Sequence, residues 1–132
     1  MIVVNFAHPL TMKDRRQIEA LKGERVTRVI ARLPDIDLAM PSIEQKVVEL
    51  VDSAGLSAKA WQTKSLLINP PGHSAIAAVL LAELHGRIGH FPRVVRLRRA
   101  NGDTQPFEVA EIIDLEQVRD VARTRRTSPA AS

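Results

Sequence analysis

Two short runs constrain this chain more than anything else in it: Ile2-Val3-Val4-Asn5-Phe6 and Ser65-Leu66-Leu67-Ile68-Asn69. Each is apolar at consecutive positions rather than at alternate ones. Successive side chains of a strand point to opposite faces, so such a run presents hydrocarbon on both and has to be covered on both. Parallel strands with helices packed on each face meet that demand. A parallel connection needs a crossover of a dozen or more residues, normally a helix, and the interval between the two runs has room for several.

The rest of the chain fills in the pattern. Thr11 and Asp14 form a capping box ahead of a helix over residues 12–22, which Gly23 ends. Residues 25–33 read as a second strand, with Val26, Val29 and Ile30 as its apolar members. Ser42 and Gln45 form a second capping box. Ile43, Val47, Leu50, Val51 and Ala54 then recur at helical spacing up to Gly55, placed for a left-handed C-cap. Residues 57–63 predict one short extra turn, packed onto the body through Trp61.

After Pro70-Pro71-Gly72-His73 a helix covers residues 74–87, with Ser74 as its expected N-cap. Residues 75–82 of that helix carry no polar side chain. A surface helix normally shows a polar face, so cover on more than one side is expected, with a second copy of the chain as one source of it. Residues 93–99 form a fourth strand, Val95 and Leu97 facing away from Arg96 and Arg98. Asn101-Gly102 is a type I′ hairpin signal, so residues 107–113 return antiparallel. Asp114 with Gln117 caps a last helix to residue 126, and residues 127–132 are expected to be a disordered tail.

This alternation predicts an α/β fold: a three-layer Rossmann-like sandwich with a mostly parallel sheet and an antiparallel C-terminal hairpin strand, residues 1–126 forming a single ligand-binding domain. At 132 residues there is enough chain for one core and too little for two. We place strand one beside strand three, the flavodoxin-like order. The chain then changes direction between them and a crevice opens at their carboxyl ends.

Composition narrows the function classes. Three Phe, one Trp and no Tyr leave few rings on which to stack single-stranded nucleic acid. The absence of Cys excludes disulfides and thiolate metal sites. The net charge of +4 favours anionic partners, but basic residues are interleaved with acids except around Arg96, Arg98 and Arg99 and around Arg123, Arg125 and Arg126. No stable DNA or RNA partner is expected. No stretch approaches a membrane span, and a cytoplasmic location is expected.

Two segments empty into the expected crevice: Asn5, Phe6, Ala7 and His8, and Asn69, Pro70, Pro71, Gly72, His73 and Ser74. Each begins with Asn at a strand end and carries His, with Pro9 following the first and Pro70 and Pro71 inside the second. Gly72 permits close approach of a ligand to the backbone, and free N–H groups opening the next helix favour an anion. An amide from Asn5 or Asn69 is suited to a base edge or a ribose. These are the groups expected for a nucleotide or phosphodiester. Asn and Pro also end strands for conformational reasons alone, and a loop His can serve only as a cap. His73, His85 and His90 lack metal-ligand spacing. Neither a Walker loop nor a dinucleotide fingerprint is present. No metal and no cofactor are expected, and no catalytic residue is assigned.

The stretch Leu66-Leu67-Ile68-Asn69-Pro70-Pro71, together with Ala82-Glu83-Leu84-His85-Gly86-Arg87-Ile88-Gly89-His90-Phe91-Pro92, resembles the short Csx-type accessory proteins found beside type III CRISPR systems. The opening Asn5-Phe6-Ala7-His8-Pro9-Leu10-Thr11 is similar too, as are Val51-Asp52-Ser53-Ala54-Gly55-Leu56-Ser57 and Trp61-Gln62-Thr63. The resemblance covers residues 1–99. It implies a homodimeric Rossmann-like protein of antiviral defence that binds cyclic oligoadenylate, cyclic tetra-adenylate being favoured. Such proteins either hold the ring as a sponge or open it as metal-independent ring nucleases. The sequence itself leaves both open, together with a third reading as an RNA- or protein-interaction module working through Arg93, Arg96, Arg98 and Arg99.

Overall fold

The doubly apolar runs become adjacent strands inside one sheet. The computed structural model describes residues 1–101 and 106–127. Its elements run β1 (Ile2–Asn5), α1 (Met12–Lys22), β2 (Arg28–Ala31), α2 (Glu44–Asp52), α3 (Ala58–Thr63), β3 (Leu66–Asn69), α4 (Ser74–Ile88), β4 (Arg93–Arg99), β5 (Phe107–Asp114) and α5 (Leu115–Arg125). The strand order is β2-β1-β3-β4-β5. All neighbours are parallel except β4 and β5. The fold is therefore the expected Rossmann-like α/β sandwich, with strand one beside strand three.

Each face of the sheet carries its own core. Val4, Phe6, Ile30, Ile68 and Val94 pack under α2, α3 and α4 against Val47, Val51, Trp61, Leu80 and Leu84. Val3, Leu67, Val95 and Val109 turn the other way and pack with Ile18 of α1, Met1 and Val26. Alternation along β1 and β3 thus feeds two layers at once, each fully buried aliphatic side chain contributing about 1.5–3 kcal/mol.

The apolar surface of α4 is accommodated within the chain. Ile76, Leu80, Leu84 and Ile88 form its buried stripe. Val79 and Leu81 are half-buried against the same core, and α2 and α3 flank the helix. Its exposed residues are Ser74, Ala75, Ala78, Ala82 and Gly86, all small and, past Ser74, without a polar side chain. Composition alone therefore requires no second copy over this helix. Arg87 adds a clamp, reaching Glu83 one turn back and Asp52 of α2, both at 2.8 Å.

Several local expectations shift. The second strand is four residues long rather than nine, because β1 offers only four partners. Val26 lies outside the ladder, its N–H donated to Glu19 Oε2 at 2.8 Å. Ser42 does not cap α2: the helix begins one residue later, after Ile43, which makes no side-chain cap. Gly55 does take the left-handed conformation, but α2 ends at Asp52 with Ser53 as its C-cap. His73 caps α4, with Ser74 as the first helical residue. Thr11 and Asp14 do form their capping box. The hairpin pairs Arg99 with Phe107 and joins Ala100 N–H to Pro106 O, closing a longer connection than a two-residue turn. The expected turn at Asn101-Gly102 falls partly outside the described residues, as do residues 128–132 of the expected tail. Among the described residues no helix is long and apolar enough to cross a membrane.

Unequal strand lengths give the carboxyl pole of the sheet its shape. The β3–β4 ladder stops at Ile68–Val94, so the remainder of β4 is paired to β5 alone. A two-stranded arm therefore projects past the carboxyl ends of β1 and β3. Its register shifts between Arg96 and Leu97, leaving Ala110 without a partner, a bulge of the kind that bends a hairpin. Val109 N–H is donated to Gln17 Oε1 of α1 at 3.2 Å.

Candidate functional site

Asn5 and Asn69 end their strands in register, directly opposite each other, and both are buried. Asn5 Oδ1 accepts the Ala7 N–H at 2.9 Å and one Asn69 Nδ2 hydrogen at 2.9 Å. Asn5 Nδ2 donates to the His8 carbonyl at 3.0 Å. A backbone N–H only donates, so the Asn5 atom that meets Ala7 must be oxygen. Asn69 must then present its nitrogen to that oxygen. The network fixes both amides, and it turns Asn69 Oδ1 away from Asn5 with no donor among the described residues. Asn5 is consequently a positioning residue with a committed side chain, and Asn69 keeps a free acceptor.

The two strand ends open into a cavity of 580 Å³. Phe6, Ala7 and His8 line it from the β1 side, and Asn69, Pro70, Pro71, Gly72 and His73 from the β3 side. Of the residues singled out in the sequence, only Asn5, behind the wall, and Ser74, on the outer surface of α4, do not line it.

Two further walls were not anticipated. One is the connection after β2, through Leu33, Pro34, Ile36 and Leu38. The other is the projecting arm, through Val95, Arg96, Leu97 and Phe107. Leu33, Leu38 and Phe107 are 62%, 55% and 47% exposed, so the rim of the cavity is apolar as well as its interior. A signal for the first wall was available: in a parallel sheet every strand-to-helix connection emerges at the same pole. The second wall depends on the difference in length between β3 and β4, which no local pattern encodes.

His73 Nδ1 accepts the Ile76 N–H at 3.4 Å, a long capping bond. In the neutral ring Nε2 then carries the proton. The first intrahelical bond is donated by Ala77 N–H to the His73 carbonyl, so the N–H groups of Ser74 and Ala75 have no intrahelical acceptor. Gly72 has no positive φ, and a Cβ built on it meets nothing within 4 Å. Neither its conformation nor its surroundings require glycine. His8 is exposed, and neither histidine contacts a carboxylate among the described residues.

The arginines of β4 face acids across the hairpin. Arg96 holds Glu111 at 2.6 Å, Arg98 holds Glu108 at 2.9 Å, and Arg93 stands 3.8 Å from Asp114. This ladder spends much of the positive charge that an RNA-binding surface would use. Among the described residues no group of three or more His, Asp or Glu is placed to hold a metal ion. No protein-family model, curated protein or solved structure matches this chain.

Proposed function

We propose that this protein binds the cyclic oligoadenylate messenger of type III CRISPR defence, cyclic tetra-adenylate foremost, in the crevice at the ends of β1 and β3, and lowers its free level by holding it. One observation carries the reading: the loops from Asn5 to His8 and from Asn69 to His73, distant in sequence, meet around one cavity at the switch point of the sheet. Open α/β sheets bind ligands at that location.

The chemistry of the walls supports an adenylate. Apolar surface from Ile36, Leu97 and Phe107 suits a purine ring. Asn69 Oδ1, fixed in orientation and free to accept, suits an exocyclic amine such as that of adenine. A cavity of 580 Å³ lies within the range of about 300–1,000 Å³ that encloses a single drug-sized ligand. It suits part of a four-nucleotide ring, so the full ring calls for two copies of the chain.

Holding rather than cutting is favoured because neither histidine contacts a carboxylate among the described residues, and an acid–base pair would need one. The two still line the same cavity, and that supports a second reading as a ring nuclease, in which the ribose 2′-OH attacks the neighbouring phosphate without a metal. Incubation of the purified protein with cyclic tri-, tetra- and hexa-adenylate, with binding and products measured together, tests both. Preferential binding of the intact tetramer ring is expected. Absence of binding to any of the three rings rejects both.

A further inference from the structure

The last helix, α5, keeps little of itself against the body. None of its residues is buried, and every one from Asp120 to its end at Arg125 is exposed. Leu115 packs on the core and Glu116 accepts the Phe91 N–H at 3.3 Å, which anchors the first turn. Val118 and Val121 stand 55% and 44% exposed, an apolar pair that nothing in the chain covers.

Asp114, Val118, Val121 and Arg125 follow one another at intervals of four, three and four residues. That spacing sets them in one line along a helix, here on the face turned away from Glu116. Asp114 is the N-cap and spends Oδ1 on the N–H groups of Glu116 and Gln117. Its Oδ2 is 3.8 Å from Arg93 Nε, too far for a hydrogen bond, so that oxygen can take a further donor. Arg125 has no hydrogen-bond or ion-pair partner among the described residues.

The line reads acid, valine, valine, base, and turned end for end it is its own complement. We propose that α5 pairs antiparallel with α5 of a second copy of this chain. Val118 of each meets Val121 of the other, and Asp114 of each meets Arg125 of the other at both ends of the contact. Such a pair is two-fold symmetric and opposes the two helix dipoles. A parallel pair would instead put Asp114 on Asp114 and Arg125 on Arg125. α5 begins where β5 ends, at the pole of the sheet opposite the crevice, and lines no part of that cavity. Pairing here leaves both crevices open and does not rest on what they bind.

Two helices of 11 residues bury far less than the about 1,600 Å² of a standard interface, so a dissociation constant of about 0.1–1 mM is expected. Small-angle X-ray scattering of the free protein, from about 10 µM to about 2 mM, brackets that constant. The mass should rise from that of one chain towards that of two. Arg125→Glu turns both end contacts repulsive and should weaken pairing about tenfold or more. In a parallel pair the same change would only exchange one like-charge contact for another. Arg123→Glu makes the same change of charge on the opposite face of the helix and should pair like the wild type. A mass that stays at one chain up to the highest concentration overturns the proposal. Equal weakening in the two variants overturns it as well, since overall charge rather than this line of residues would then govern association. Neither result bears on the crevice.

Discussion

Asn5 shapes the crevice without reaching what the crevice would hold. Its amide makes three hydrogen bonds, two accepted and one donated, tying the turn after β1 to the end of β3. Asn5→Ala leaves the half-buried Ala7 N–H without its acceptor. A loss of about 1–3 kcal/mol in urea unfolding is expected. Asn69→Ala removes a single bond, and Asn5 Oδ1 keeps Ala7, so a smaller loss of about 0.5–1.5 kcal/mol is expected. The order should reverse for binding of cyclic tetra-adenylate, where Asn69→Ala is the more damaging change. Asn5 losing affinity to the greater extent would mean the free acceptor is not what reads the ligand. Gly72 gives a cleaner separation still. With ordinary φ and open space at its Cβ, Gly72→Val should melt like the wild type. If binding also survives, no ligand approaches that backbone. The sequence marked both asparagines and Gly72, but it could not say which amide was spent. That depends on register across two strands 64 residues apart.

Elements explain what was legible and what was not. Consecutive apolar positions identified β1 and β3 because doubly covered strands have few sequence alternatives. Capping patterns were less secure: Thr11-x-x-Asp14 closed as expected, whereas Ser42 fell one residue outside its helix and His73 took the cap expected of Ser74. A side-chain cap depends on where the chain enters the helix, which packing decides. The projecting arm of β4 and β5 yields a prediction of its own. Arg96 and Arg98 lie on the same face, each paired with a glutamate on β5, yet only Arg96 lines the crevice. Cross-strand charge pairs are worth roughly 0.2–1 kcal/mol, so Arg96→Ala and Arg98→Ala should each change stability by no more than that. Titration calorimetry should then show Arg98→Ala binding cyclic tetra-adenylate like the wild type, with Arg96→Ala about tenfold or more weaker, the loss of one charge-assisted contact. Equal affinities for the two variants would remove the arm from the binding site. An equal loss in both would instead indicate attraction by overall charge, which added salt would screen.

On the scale of the whole molecule, size and symmetry meet. A ring of four identical nucleotides has two-fold symmetry, and a two-fold pair of chains would offer it one crevice from each side. The cavity in one chain is large enough for part of such a ring. Calorimetric titration should therefore saturate at one ring for every two chains, and sedimentation should find the complex at twice the mass of the chain. Saturation at one ring per monomer would defeat the two-fold reading and require a crevice that widens on binding. Product analysis on the same samples decides between holding and cutting. A sponge returns the ring intact after long incubation, and His8→Ala then changes affinity alone. A nuclease releases linear products ending in a cyclic phosphate. If His8 moves the proton, His8→Ala slows that release by about 10²–10⁴-fold with binding largely kept. We expect the intact ring, because His8 is exposed and lacks a carboxylate partner among the described residues, and because His73 Nδ1 already accepts a backbone N–H. Linear product that persists undiminished in both His8→Ala and His73→Ala would place the cleavage on other groups and end the case for either histidine as its acid or base.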